Sequence, residues 1–215
     1  MTAATLEQRA APTLRAMNFW DQNFAAAGYK YGTQPNAFLV WQAQRIAPGS
    51  HVLVPGDGEG RNGVWLAQQG HRVTAMDGSA VGLQKAQTLA AERGVALDTV
   101  LGDLADWTPE PGRFDAVVLT FVHLPPAIRA AAHQRLAAGL RPGGLLLLEA
   151  FHPQQLQHTS GGPKDAAMLY TSALLRADFG DALTERLAWQ GEVTLDEGPG
   201  HQGKAHVTRY VGQRP

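Results

Sequence analysis

The residues with the clearest chemical potential form a glycine-rich turn early in the sequence. Residues 54–63 read VPGDGEGRNG and stand between a short apolar run and an amphipathic stretch. Glycines at this spacing allow tight backbone turns and let main-chain N–H groups at a helix N-terminus approach a ligand closely. The turn therefore predicts a cofactor site, against the alternative of a glycine-rich turn that binds nothing.

Two cofactors are compatible with this turn. Gly58, Gly60 and Gly63 match the G-x-G-x-x-G fingerprint, which would bind NAD(P). Gly56, Gly58 and Gly60 instead match the loop that binds S-adenosylmethionine (SAM). Asp77, at the end of the second predicted strand, would bind a ribose in either case. The turn alone leaves both cofactors open.

Three later features favour SAM over a nicotinamide. Asp103 follows the third predicted strand, where a carboxylate can accept a hydrogen bond from the exocyclic amine of adenine. Residues 141–144 (RPGG) make a sharp turn directly before the fifth predicted strand. The sequence then ends in a predicted β-hairpin, whereas a dehydrogenase would normally need a second catalytic domain.

A parallel sheet has to position these residues. From His51 onward, short apolar runs alternate with amphipathic stretches of about 10–15 residues, a pattern typical of βαβ units. In such a sheet, ligands bind outside the carboxyl ends of the strands. The predicted strands are 51–55, 71–76, 97–101, 114–120 and 144–150, and the predicted helices are about 61–69, 79–93 and 126–139, with Ser79 as an N-cap.

The flanking regions add helices before this core and a hairpin after it. Helices are predicted within 3–28, ended by Gly28, and from 37 to about 46; a loop at 152–165 then precedes a helix at 166–178 and strands at 186–196 and 204–212. Trp65 and Trp189 are predicted to be core residues because both lie in apolar periodic stretches. We expect one α/β domain over 1–215: a helical segment covering the cofactor site (1–47), a Rossmann-like core (48–151), and a substrate-side lid, helix and hairpin (152–215).

Composition narrows the class of partner. The chain has 18 Lys+Arg against 19 Asp+Glu, no long basic run and no Cys. Nucleic acid and anionic membranes are therefore not expected as partners, and a thiol nucleophile or a Cys-ligated metal site is excluded. No apolar run approaches the roughly 20 residues of a membrane span, and residues 1–17 do not read as a signal peptide. We expect a cytoplasmic protein with a small-molecule partner and no metal.

Taken in order, the motifs resemble a known family. The chain is similar to class I SAM-dependent methyltransferases, especially small bacterial ones related to tellurite-resistance and thiopurine methyltransferases. The resemblance covers about residues 29–212 and rests on Tyr31-Gly32-Thr33 with Pro35-Asn36, and on segments 58–62, 73–79, 102–104, 121–125, 142–144, 161–164 and 197–203. One departure is visible: most class I enzymes carry an acid in the first strand at the position of Val54, whereas here an acid follows in the loop, at Asp57.

The resemblance implies a seven-stranded sheet in which a sixth strand is parallel and an antiparallel seventh lies between the fifth and sixth. It also implies methyl transfer from SAM to a small acceptor, such as a thiol or a reduced selenium or tellurium compound, by in-line displacement. The predicted cofactor-binding residues are Tyr31, Gly56, Asp57, Gly58, Gly60, Asn62, Asp77, Gly78, Ser79, Asp103, Leu104, Thr120 and Phe121.

The acceptor side of the site is predicted from four residues. His123, just past the fourth strand, is a candidate general base, against the alternative of a histidine satisfied by the backbone. Lys164 lies in a loop that could close as a lid, and Glu197 and His201 lie in the hairpin loop expected to overhang the pocket. A SAM-binding protein without turnover remains a further alternative.

Overall fold

A seven-stranded sheet organises residues 18–215, the part of the chain that the computed structural model describes. The strands are β1 (His51–Pro55), β2 (Arg72–Asp77), β3 (Asp98–Leu101), β4 (Phe114–Thr120), β5 (Leu140–Phe151), β6 (Thr184–Asp196) and β7 (Gln202–Gln213). Their order is β3-β2-β1-β4-β5-β7-β6. The first five strands are parallel, and β7 is antiparallel to both β5 and β6, which confirms the predicted α/β architecture.

Within residues 18–215, six α-helices surround the sheet: α1 (Phe19–Phe24), α2 (Ala37–Gln42), α3 (Arg61–Gln68), α4 (Ala80–Glu92), α5 (Pro126–Ala138) and α6 (Ser172–Phe179). Ser79 caps α4 as predicted, because its hydroxyl accepts a hydrogen bond from Gly82 N–H at 3.0 Å. The first predicted helix ends at Phe24 rather than Gly28, and its residues 3–17 lie outside the described part.

The predicted helix at 166–178 is wrong in its first half. Asp165 caps a separate 3-10 turn over Ala166–Met168, and Thr171 caps Leu174 N–H at 3.1 Å, so that α6 begins only at Ser172. Two capping side chains in one apolar stretch divide it into two elements, since each side-chain oxygen satisfies a free N–H at a helix start. This break brings Tyr170 inward, where its hydroxyl accepts the Leu124 N–H at 2.8 Å beyond the end of β4.

The core lies on both faces of the parallel strands. Val52, Leu53 and Val54 of β1 are at most 1% exposed, as expected for a strand that is covered by helices on each side. Trp65 is half-buried against this core. The prediction for Trp189 is wrong: it lies on β6, the strand at the edge of the sheet, and is 42% exposed.

Candidate cofactor and acceptor site

The glycine-rich turn links β1 to the N-terminus of α3 through left-handed backbone. Gly56, Gly58 and Gly60 have φ values of 67°, 57° and 90°. Residues other than glycine adopt this left-handed backbone region only at a cost in free energy. A Cβ at Gly56 would lie 2.5 Å from Val122, and one at Gly60 would lie 2.6 Å from Ala86, so both positions also lack space. The sequence therefore fixes a turn whose main-chain N–H groups lie at the carboxyl edge of the sheet.

Asp77 ends β2 beside this turn, as predicted. Its Oδ2 accepts the Gly58 N–H at 2.8 Å and its Oδ1 accepts the Ser79 N–H at 2.7 Å. Burial raises its pKa, and these backbone hydrogen bonds act in the opposite direction. A carboxylate has about four lone-pair sites, so both oxygens retain acceptor capacity for a vicinal diol.

Asp103 follows the neighbouring strand β3 and is exposed, with Oδ1 accepting the Ala105 N–H at 2.9 Å. The segments that carry the two acids are adjacent, since Gly102 N–H donates to the Asp77 carbonyl at 3.0 Å. A Cβ placed on Gly78 would have only the Gly102 carbonyl within 4 Å, at 3.6 Å, so there is room between the two loops. The structure thus brings the two acids predicted to bind ribose and adenine onto neighbouring loops.

Asp57 lies in the turn but its side chain points away from this edge. Oδ1 accepts the Gly63 N–H at 3.1 Å under the start of α3, and a Cβ at Gly63 would overlap Oδ2. Burial raises the pKa of Asp57 to about 7, against the lowering effect of the Gly63 hydrogen bond. Its predicted role at the cofactor can therefore involve only its main chain, while the side chain accepts a hydrogen bond at the start of α3.

Residues before β1 lie across the loops that follow β1 and β2. Asn18 Nδ2 donates to the Gly78 carbonyl at 2.7 Å, and Ser79 Oγ donates to Asp21 Oδ1 at 2.6 Å. Phe24 packs over the glycine turn, where a Cβ at Gly58 would come within 3.0 Å of its ring. In the described part of the chain, α1 is thus joined to the loops on which the nucleoside would rest.

Asn36 is the centre of a buried polar network that joins three distant segments. Its main-chain N–H donates to Asn62 Oδ1 at 2.9 Å, and its Nδ2 donates to Glu149 Oε2 at 2.6 Å and to Glu197 Oε1 at 2.8 Å. Asn62 Nδ2 then donates to Thr120 Oγ1 at 2.6 Å, which extends the network to the end of β4. The network fixes the relative positions of α2, α3, β4, β5 and the hairpin.

Each carboxylate of this network has its own arginine. Arg209 Nε lies 2.6 Å from Glu149 Oε1, and Arg61 Nη2 lies 2.6 Å from Glu197 Oε2. Glu149 and Arg209 were not predicted as site residues. Of the residues in this network, Asn36 could have been found from the sequence, because Pro35-Asn36 is part of the motif that resembles the family. Glu197, predicted in the substrate pocket, is 6% exposed and is held by Arg61 and Asn36.

An aromatic cluster closes the carboxyl ends of β4 and β5. The His201 ring lies 4.5 Å from Tyr31, 4.4 Å from Phe121 and 5.2 Å from Phe151, measured between centroids. Among residues 18–215, Phe121 is the one non-glycine residue with a left-handed φ, 55°. Strained backbone of this kind persists where the surrounding structure holds it, often at functional sites. Burial lowers the pKa of His201 to about 3, helped by the Arg61 charge, so this imidazole is neutral at pH 7.

His123 uses both ring nitrogens for the backbone. Nδ1 lies 2.6 Å from the Met168 carbonyl, and Nε2 accepts the Phe151 N–H at 3.1 Å. Burial lowers its pKa to about 4, so the ring is neutral with its proton on Nδ1. This geometry favours the structural alternative over the general base. Lys164 lies exposed in the loop after Gly162, and its contact with an acceptor stays a prediction.

Comparison with known proteins agrees with this geometry. Residues 52–144 match the model of a methyltransferase domain. A thiopurine S-methyltransferase from Pseudomonas putida is 41% identical over 63 residues, 27% of this chain and 29% of that protein. These similarities support the resemblance to class I SAM-dependent methyltransferases. They also support SAM as the cofactor, so the dinucleotide alternative is set aside.

Two further proteins resemble the chain over longer stretches. A 2-heptyl-1-hydroxyquinolin-4(1H)-one methyltransferase from Mycobacteroides abscessus is 28% identical over 115 residues, 52% of this chain and 51% of that protein. The solved structure of TehB from Haemophilus influenzae shares the fold, with a TM-score of 0.67 at 17% identity over 92% of this chain and 66% of TehB. The chain thus spans about half or less of the length of the two curated relatives.

Two kinds of feature are absent from the described residues. No helix of the chain within 18–215 combines the length and hydropathy of a bilayer span. The same residues hold no group of three or more His, Asp or Glu side chains placed to bind a metal ion.

Proposed function

We propose that this chain is a SAM-dependent methyltransferase, which transfers the methyl group of SAM to a small-molecule acceptor by in-line displacement. The observation that carries the proposal is Asp77, whose carboxylate is fixed by Gly58 and Ser79 N–H at the end of β2, one strand from Asp103. The sheet order with β7 antiparallel between β5 and β6 supports it, because this is the order that the family resemblance implies.

Each part of the site has a separate task in this proposal. Asp77 binds the ribose hydroxyls, Asp103 accepts from the adenine amine, and the glycine turn contacts the cofactor through its main chain. SAM supplies an electrophilic methyl group on its sulfonium. The aromatic cluster around Phe121 excludes water from the reacting atoms, and alignment of the two reactants supplies several kcal/mol of the rate enhancement.

The acceptor class that fits best is a thiol or a reduced selenium or tellurium anion. Both imidazoles near the end of β4 are neutral at pH 7, and His123 has no free nitrogen. An acceptor that already carries negative charge at the working pH needs no proton removed. The thiopurine S-methyltransferase relative supports sulfur as one acceptor atom, by the name of that protein.

Replacing Asp103 with alanine should lower the affinity for SAM by about tenfold, because a hydrogen bond to a charged group is worth roughly 1.5–3 kcal/mol. Titration calorimetry with SAM and with S-adenosylhomocysteine measures the change. Wild-type protein that bound NADPH tightly and SAM not at all would contradict the proposed function.

Replacing Asp77 with asparagine should lower the affinity for S-adenosylhomocysteine by about 10- to 100-fold, since an amide removes the acceptor that anchors both the turn and the ribose. The matched control is Asp98→Asn, an exposed acid that pairs with Arg72 at the opposite end of the sheet. Equal losses in the two variants would show that Asp77 does not contact the cofactor.

Turnover separates the enzyme from a SAM-binding protein without activity. Wild-type protein with radiolabelled SAM would be incubated with small thiols, selenide and telluride, and methylated products would be counted. Methylation of at least one of them supports the acceptor class. Tight SAM binding without product from any acceptor favours the non-catalytic alternative.

A further inference from the structure

We propose that Arg61 and Glu197 together bind the α-amino-acid end of SAM, Arg61 taking the carboxylate and Glu197 the ammonium group. The inference rests on the proposed function. It answers a question that the sequence raises, because Val54 occupies the position where related enzymes carry an acid in the first strand. In this chain the acid, Glu197, lies instead in the hairpin loop, and the base, Arg61, is the first residue of α3.

The primary observation is an unsatisfied donor in a buried ion pair. Arg61 is 7% exposed and Glu197 is 6% exposed. Within the described part of the chain, Arg61 Nη1 makes no hydrogen bond, whereas Arg61 Nη2 pairs with Glu197 Oε2 at 2.6 Å. A carboxylate oxygen has two lone pairs, so Oε2 keeps acceptor capacity beside this ion pair. Buried charged groups normally fill their hydrogen-bonding capacity, so an orphan donor beside a carboxylate with spare capacity calls for a ligand.

The pair also lies at the correct end of the site. Arg61 directly follows Gly60, the last glycine of the cofactor turn, and its charge acts on Tyr31 and His201. Those two rings belong to the cluster beyond β4, away from the nucleoside acids of β2 and β3. A cofactor with its ribose at Asp77 and its sulfur toward Phe121 therefore extends its amino-acid chain toward Arg61.

The charges of the pair complement a zwitterion. A neutral pair with one unused N–H donor and spare acceptor capacity on its carboxylate can accept one anion and one cation without a net change of buried charge. Glu197 Oε1 accepts from Asn36 Nδ2 at 2.8 Å, which orients the carboxylate, and Oε2 can accept from an ammonium group beside its contact with Arg61 Nη2. An isolated phosphate or sulfate would use only the Arg61 donor, so a zwitterionic amino acid is the better match.

The test compares two ligands that differ only in the amino-acid part. S-adenosylhomocysteine carries that part, whereas 5′-methylthioadenosine keeps the nucleoside and the thioether without it. Calorimetry on wild type, Arg61→Gln and Glu197→Gln gives the affinity ratio of the two ligands. We expect each variant to bind S-adenosylhomocysteine about tenfold or more weakly, with methylthioadenosine binding unchanged, because one charge-assisted hydrogen bond is lost.

A control variant and a third ligand sharpen the result. Arg129, on α5, is another largely buried arginine and pairs with Asp178 of α6 at 2.7 Å. Arg129→Gln should leave the affinity ratio of the two ligands at its wild-type value. Decarboxylated SAM should bind wild type and Arg61→Gln equally. If Arg61→Gln does not fold, Arg61→Lys keeps the charge and should retain part of the preference.

The outcomes distinguish this inference from the function on which it rests. Equal losses for both ligands would show that the pair only supports the fold, and an unchanged ratio would overturn the assignment. Wild-type protein that binds neither ligand would instead count against SAM as the cofactor, and the Arg61 variants would not be needed to reach that conclusion.

Discussion

Asn36→Ala should lower the free energy of unfolding by about 3–5 kcal/mol, as expected when a buried ionic network loses one of its partners. The asparagine amide is the shared donor to Glu149 and Glu197, two carboxylates that are 1% and 6% exposed. Alanine removes the side-chain amide donor of both acids, and it also removes the oxygen that caps Leu39 N–H at 2.8 Å. Urea denaturation at pH 7 measures the loss.

The matched control is Asn23→Ala, in α1, whose amide donates to the Phe19 carbonyl at 2.8 Å and accepts from Lys30 Nζ at 2.6 Å, outside the buried carboxylate network. It should cost less than about 1 kcal/mol, as surface substitutions usually do. If Asn36→Ala is no more costly than this control, the remaining partners hold the two acids and the asparagine is not the centre of the network.

Asp57→Asn should stabilise the protein at pH 8 and do so progressively less as the pH falls toward 4. Burial raises the pKa of Asp57 from 3.8 to about 7, so the folded protein carries an unfavourable charge that the unfolded chain carries at no cost. Stability from this group is present at low pH and is lost as pH rises from about 4 to about 7. A change of this size in pKa corresponds to roughly 4 kcal/mol.

The difference between wild type and Asp57→Asn isolates this group, because the titration of all other residues cancels between the two proteins. Denaturation curves at intervals from pH 4 to pH 8 should show a gap that widens with pH and becomes constant above about pH 7. A gap of constant size over the whole range would mean that the Asp57 carboxyl titrates in the folded protein as it does in the unfolded chain.

Local sequence patterns were sufficient to predict most of the sheet. The strand predicted at 114–120 is β4 residue for residue, and 51–55 is β1, because apolar runs bounded by turns define buried parallel strands without reference to distant contacts. The boundaries of β5 and α6 were less accurate. Residues 140–143 (LRPG) read as a helix end and a turn, yet Leu140 begins β5 by pairing with Phe114, which is a tertiary contact.

The positions of Asp77 and Asp103 at strand ends were predictable, whereas the buried network was not. Asp77 and Asp103 follow strands, so the rule that ligands bind at strand ends places them. Asn36 and Glu149 are separated by 113 residues, and their hydrogen bond exists only because α2 packs against β5. His123 and Asp57 were placed on the correct segments, but the direction of each side chain depends on neighbours that no local pattern specifies: the Met168 carbonyl and the Gly63 N–H.

The position of β7 determines when the sheet can be completed during synthesis on the ribosome. β6 pairs with β7 alone among the described strands, and β7 in turn pairs with β5 from Leu145↔Gln213 to Phe151↔Val207. The sheet can therefore be completed only after residue 213 has left the exit tunnel, through contacts that are distant in sequence and slow to form. Glu197 and His201 lie in the turn of that hairpin. A nascent chain that lacks β7 therefore already contains Asp77 and Asp103, but the hairpin that positions Glu197 and His201 has not formed.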